Sequence, residues 1–137
     1  MVPSGTGGAP GPDIAVTRIA HASVLLELGG KRILTDPWFS QTSAYRQGEP
    51  LGIALENLPR LDLVVASHGH YDHFDIGTFA AYPDKAVPFI VGPDMVERAR
   101  EAGFTNVREL KVWESAQIGD ITVTACPGSH GVDEVTF

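Results

Sequence analysis

The feature that most constrains this chain is His68-Gly69-His70-Tyr71-Asp72-His73, which gathers three of its five histidines and an aspartate into six residues. Imidazole and carboxylate are the donors that borderline divalent cations such as zinc prefer. Without an ion the same groups have to be solvated or paired, so the fold must give them either water or a metal. A solvated polar loop is the ordinary alternative, and the density of donors argues against it.

What precedes the cluster fixes where it sits. Leu61-Asp62-Leu63-Val64-Val65-Ala66-Ser67 is a short, β-branched apolar run that reads as a strand buried on both faces. The donors begin where the run ends, in a loop that a rigid sheet can aim. Gly69 is expected to let the backbone turn tightly between two donors, and Asp75 to cap a helix over Ile76 to Tyr82 that Pro83 stops.

The other elements follow from period and punctuation. Strands are expected over Ile14 to Ala20, Ser23 to Leu28, Arg32 to Thr35, Val87 to Val91, Val107 to Val112, Ala116 to Ile118 and Asp120 to Ala125. Gly29-Gly30 makes a hairpin turn, so the chain starts antiparallel, and Gly119 turns the last pair. An amphipathic helix over Asp94 to Ala102 has Pro93 at its start and Gly103 at its end. Gln41 to Pro59 lacks apolar period and reads as a loop with a short helical turn, long enough to wall a substrate pocket.

Composition excludes more than it assigns. At 137 residues, 43% hydrophobic and 20% charged, the chain has the makeup of one soluble globular domain. Ten basic against seventeen acidic residues, a net charge of −7, argue against a broad electrostatic grip on nucleic acid or anionic membrane. Residues 1–13 are rich in Gly and Pro and read as a disordered tail, not a signal peptide, and no run approaches a transmembrane span. Cys126 is the only cysteine, so no intrachain disulfide can form and a cytoplasmic location is the default. There is no nucleotide-binding glycine fingerprint.

Ser67-His68-Gly69-His70-Tyr71-Asp72-His73 resembles the H-x-H-x-D-H signature of metallo-β-lactamase-fold hydrolases. The likeness extends over roughly residues 14 to 137. His21-Ala22-Ser23, followed by Gly29-Gly30-Lys31-Arg32-Ile33-Leu34-Thr35-Asp36-Pro37-Trp38-Phe39, resembles the N-terminal pattern of one branch. That branch includes ascorbate-6-phosphate lactonase and the phospholipase D acting on N-acylphosphatidylethanolamines.

The resemblance implies an α+β fold, the N-terminal half of an αββα sandwich, with a mostly antiparallel or mixed sheet and flanking helices over residues 14–137. It makes His68, His70 and His130 ligands of a first metal, with Asp72 and His73 holding a second, so that Asp72 takes part in catalysis. His130 follows the strand ending at Cys126 and is otherwise an ordinary loop histidine. His21 either faces the pocket and touches substrate, or is a structural histidine in a turn. Asp36, which Pro37 should hold extended, either orients a ligand by accepting its hydrogen bond or simply forms an Asp-Pro turn. Trp38 and Phe39 read as core or pocket wall.

The family's later bridging acid and last histidine have no counterparts here: Asp133 and Glu134 follow His130, and no histidine does. The expectation is therefore a C-terminally truncated domain with an incomplete second site and an apolar sheet face left bare, for which a homo-oligomer is one cover. One or two divalent ions are expected, zinc first, manganese or iron otherwise. Three neutral imidazoles leave the ion's charge uncompensated and a position open, so that a bound water becomes a hydroxide nucleophile near neutral pH. This implies a metal-dependent hydrolase cleaving an ester, lactone or phosphodiester in a small-molecule substrate. The alternative is a metal-binding half-domain, catalytically incomplete without further chain or a partner.

Overall fold

A computed structural model describes residues 13–40, 50–130 and 133–136. The tail expected over residues 1–13 lies, apart from Asp13, outside the described residues, as do residues 41–49 of the loop expected from Gln41 to Pro59. A six-stranded mixed sheet organises the rest. Strands β1 (Ile14–Ala20), β2 (Ser23–Leu28) and β3 (Lys31–Thr35) run antiparallel. Then β4 (Leu63–Ala66), β5 (Phe89–Val91) and β6 (Val107–Glu109) add on in parallel, in chain order.

Local chemistry sets the turns. Gly29 and Gly30 both take positive φ, 54° and 79°, the two-residue connection whose twist matches the strands it joins. Parallel pairing forces crossovers. Helix α1 (Ile76–Phe79) sits between β4 and β5, and α2 (Val96–Glu101) between β5 and β6. Both helices are shorter than their sequence spans implied. α1 stops at Phe79 and continues to Tyr82 only as a turn, with Ala81 and Tyr82 donating to Thr78 and Phe79 carbonyls. The loop from Gln41, where described, holds one 3-10 turn, Leu55–Asn57.

Alternation along the strands divides the core in two. Leu25, Leu34, Val64, Phe89 and Val91 point to the helical side and meet Phe74, Phe79, Met95, Ala99 and Phe104. Phe79 is the hub: fully buried, it stacks on Phe104 (5.4 Å between centroids) and Tyr82 (5.3 Å) and meets Phe89 edge-on (6.0 Å). Each such ring contributes about 1.5–3 kcal/mol by burial. Tyr82 accepts the Leu61 N–H at 2.9 Å, tying the crossover to the entry of β4, and its burial pushes the phenol above its usual range.

The opposite face carries Ile33, Leu63 and Ile90. It is only partly bare, a correction to the expectation from the sequence. A hairpin of β7 (Ser115–Ile118) and β8 (Ile121–Thr124) lies over it, because Leu110, Ala116, Ile121 and Ala125 supply a second apolar layer. The cover ends before the outer strands. Val16 pairs with Leu26 and Leu26 with Ile33, so these share one face, yet Val16 and its neighbour Ile14 are each 62% exposed. A last pair, β9 (Pro127–His130) and β10 (Asp133–Thr136), returns antiparallel. Among the described residues no helix is long and apolar enough to cross a membrane.

Candidate metal centre

Parallel register builds the floor of the site. Thr35 pairs with Val65, so the residues leaving β3 and β4 emerge together at the carboxyl ends of the strands, where Asp36 N–H donates to the Val65 carbonyl at 2.8 Å. Asp36 is not extended as Pro37 suggested: its φ is +42°. Aspartate tolerates that region better than most residues, and here the carboxylate's partners hold it. Oδ1 accepts the Ser67 N–H at 2.7 Å; Oδ2 accepts the Ser67 hydroxyl and the His73 ring Nδ1, each at 2.8 Å.

The motif loop is pinned from below. Phe74, 1% exposed, plugs into the core against Phe89, and Arg98 lies over the Phe74 ring. His73 and Phe74 N–H groups both donate to the His70 carbonyl, at 3.0 and 2.8 Å, curling the loop so that its side chains converge. Gly69 serves space and not a special turn. It is absent from the positive-φ glycines, and a Cβ there would press on the Arg98 guanidinium that donates to its carbonyl. Asp75 differs from expectation as well. It makes no side-chain cap on α1; its Oδ2 accepts the Phe39 and Ser40 N–H groups, binding the motif to the segment after β3.

Two groups of donors result. His68, His70 and His130 bring ligand atoms within 4.8 Å of one another, although 60 residues separate the last two. Their ring centroids lie 4.7 Å (His68 to His70), 4.8 Å (His68 to His130) and 4.9 Å (His70 to His130) apart. His130 closes the group because it ends β9. Beside it, His21, Asp72 and His73 form a second group within the same 4.8 Å limit, and the His68 and His73 rings are 4.1 Å apart. Asp72 and His73 thus face one pocket, and His21, in the bend between β1 and β2, faces it from the other side.

The donor sets fit divalent cations by proton placement as well as by type. A carboxylate only accepts, so His73 Nδ1 carries a proton toward Asp36, which in the neutral ring leaves Nε2 with a lone pair. Ser67 spends its hydroxyl proton on Asp36, so its oxygen accepts from His68 Nδ1 at 2.9 Å, and His68 too presents Nε2 as a lone pair. One carboxylate therefore sets the tautomers of a ring in each group. Burial first, then the neighbouring His73, His70 and His130, hold His68 below the usual imidazole range, and Asp36 opposes this weakly. A neutral ring is the form that ligates a metal. The pocket wall is aromatic: Trp38, buried, meets His21 edge-on at 5.4 Å and Tyr71 at 6.2 Å, and Tyr71 is half exposed at the rim.

Ser67 was legible only as the first letter of the motif. Its relay depends on the β3–β4 register, which no local pattern reveals.

A mixed sheet with ligand loops at its strand ends, helices on one face and imidazoles converging from distant segments define a metallo-β-lactamase fold. Residues 31–136 match the family model "Beta-lactamase superfamily domain", and the chain belongs to that superfamily of metal-dependent hydrolases. It is 36% identical over 126 residues to an uncharacterised protein of Mycobacterium tuberculosis strain H37Rv, covering 85% of this chain and 34% of that one. To the mitochondrial N-acyl-phosphatidylethanolamine-hydrolyzing phospholipase D of Saccharomyces cerevisiae it is 34% identical over 111 residues, 74% of this chain and 24% of the relative. An isothiocyanate hydrolase from Delia radicum gut bacteria superposes with a TM-score of 0.68 at 27% identity, covering 86% of this chain and 48% of that structure. The chain thus spans about a third of the length of the mycobacterial relative and about half of the solved hydrolase.

Proposed function

We propose that this chain carries the metal-binding part of a hydrolytic centre that cleaves an ester, lactone or phosphodiester in a small-molecule substrate. The observation that carries the reading is the convergence of His68, His70 and His130 from two distant segments. Zinc suits both sets, the all-imidazole one best; manganese or iron is the alternative at the neighbouring group, which includes a carboxylate. A divalent cation held there supplies Lewis acidity and brings the pKa of a water to near neutrality.

The chain's own residues do the remaining work. Asp36 holds protons on His73 Nδ1 and, through Ser67, on His68 Nδ1, keeping both Nε2 atoms directed at the ion sites. Asp72 places its charge beside His21 and His73, where it stabilises a cation and orients a nucleophile's proton. Trp38 and Tyr71 shape an apolar flank for a substrate's non-reacting part.

The test is hydrolysis of a panel of lactone, aryl ester and bis-aryl phosphodiester probes by the zinc-loaded chain, before and after chelation. Turnover that chelation abolishes and zinc restores supports the proposal; turnover insensitive to chelation overturns it. A second reading, a metal-binding unit needing further chain for turnover, is favoured by the coverage of about half of the solved hydrolase. Stoichiometric metal uptake without turnover selects it.

A further inference from the structure

We infer that His21 is a metal ligand, the third protein donor to the ion beside Asp72 and His73, and not a substrate contact or a structural turn histidine. The inference rests on the metal-centre reading and completes its less obvious half from within the described chain. Three distances carry it. His21 Nε2 lies 3.1 Å from Asp72 Oδ2 and 3.3 Å from His73 Nε2, and His73 Nε2 lies 3.7 Å from the same Asp72 oxygen. Donors at about 2.1 Å from a tetrahedral ion stand about 3.4 Å apart, the middle of that range. The three spacings are therefore those of one face of a coordination tetrahedron.

Proton counting agrees. In its neutral form His73 spends its one N–H on Asp36, so Nε2 offers a lone pair. A second ring nitrogen at 3.3 Å then either donates a hydrogen bond to it or shares an ion with it. A hydrogen bond from His21 would serve only one of the two acceptors that face it, His73 Nε2 and Asp72 Oδ2; an ion serves all three atoms.

The backbone adds an independent mark. His21 sits at φ +52° in the bend between β1 and β2, one of four non-glycine residues described with positive φ. Asp36, which orients His73 from behind, is another. Such conformations cost on the order of 1 kcal/mol and persist where the surroundings determine them, typically at ligand clamps. In that bend the ring faces the pocket, edge-on to Trp38 and against His73 and Asp72.

The experiment is zinc titration of the 137-residue chain against a competing chelator, with His21→Asn beside the wild type. Asparagine tolerates positive φ, so the turn is preserved; circular dichroism and the thermal midpoint of the metal-free variant check this. The wild type should take up two equivalents. His21→Asn should keep the first unchanged and lose affinity for the second by more than the about 10–100-fold that removing an outer partner costs. In nitrogen-15 spectra of the wild type, a readout needing no variant, the His21 Nε2 resonance should shift with the second equivalent and not the first. Unchanged second-site affinity, or a His21 resonance indifferent to the second equivalent, overturns the assignment and leaves the hydrolytic reading standing. Uptake of only one equivalent by the wild type overturns it too, and uptake of none overturns the metal centre itself.

Discussion

The two donor groups share a pocket and are built differently. The His68, His70 and His130 group is all imidazole, hangs from the carboxyl ends of β4 and β9, and has a buried member whose protonation burial suppresses. The His21, Asp72 and His73 group includes a carboxylate, has no fully buried member, and draws one member from a hairpin bend at positive φ. Asp36 touches both, directly through His73 and through Ser67 to His68. The difference teaches that the first group is held by strand ends and burial, the second by a hydrogen-bond frame around one aspartate.

Removing the buried donor of the all-imidazole group should have the largest effect. His68→Ala is expected to weaken the first zinc by more than about 100-fold and to bring turnover below detection, by zinc titration and hydrolysis of the probe panel. If the second equivalent still binds, the groups are as separable as their construction suggests.

Asp36→Asn comes next. The amide retains the left-handed backbone but loses the charge and turns one acceptor into a donor, which weakens the shared oxygen that takes both the Ser67 hydroxyl and the His73 Nδ1 proton. Both equivalents should weaken by about 10–100-fold, and a loss confined to one of them would break the claim that Asp36 serves both. Ser67→Ala removes only the branch toward His68; the first equivalent should weaken by about 10-fold with the second unchanged. Equal losses at both would mean that Ser67 supports the loop backbone and not a tautomer.

The smallest effect on the site should come from the scaffold. Tyr82→Phe strips the buried Leu61 N–H of its acceptor, costing about 1–3 kcal/mol in urea denaturation, and should leave metal stoichiometry untouched. A change in uptake would show that the crossover entering β4 tunes the ligand loop.

Much of this was legible along the chain because its causes are local. The strands Ile14–Ala20 and Ser23–Leu28 follow from alternation, and the Gly29-Gly30 turn from positive φ. The family follows from the donors packed between His68 and His73. Gly69, Asp75 and Pro37 were less transparent. Each was read by a local rule, and each answers to a distant partner: Arg98 over Gly69, Phe39 and Ser40 on Asp75, Ser67 and His73 overriding the extended bias at Asp36.

By itself the sequence determined which residue types could hold a cation and which segments alternate into strands, since both depend on near neighbours. Only the tertiary structure decided that His130 closes one group, that His21 faces Asp72 and His73, and that one aspartate orients rings in both groups. Those relations span 31 to 62 residues and rest on parallel register, a hairpin bend and the packing of Phe74. Spacing along a chain carries no information about distance once the chain has crossed the sheet.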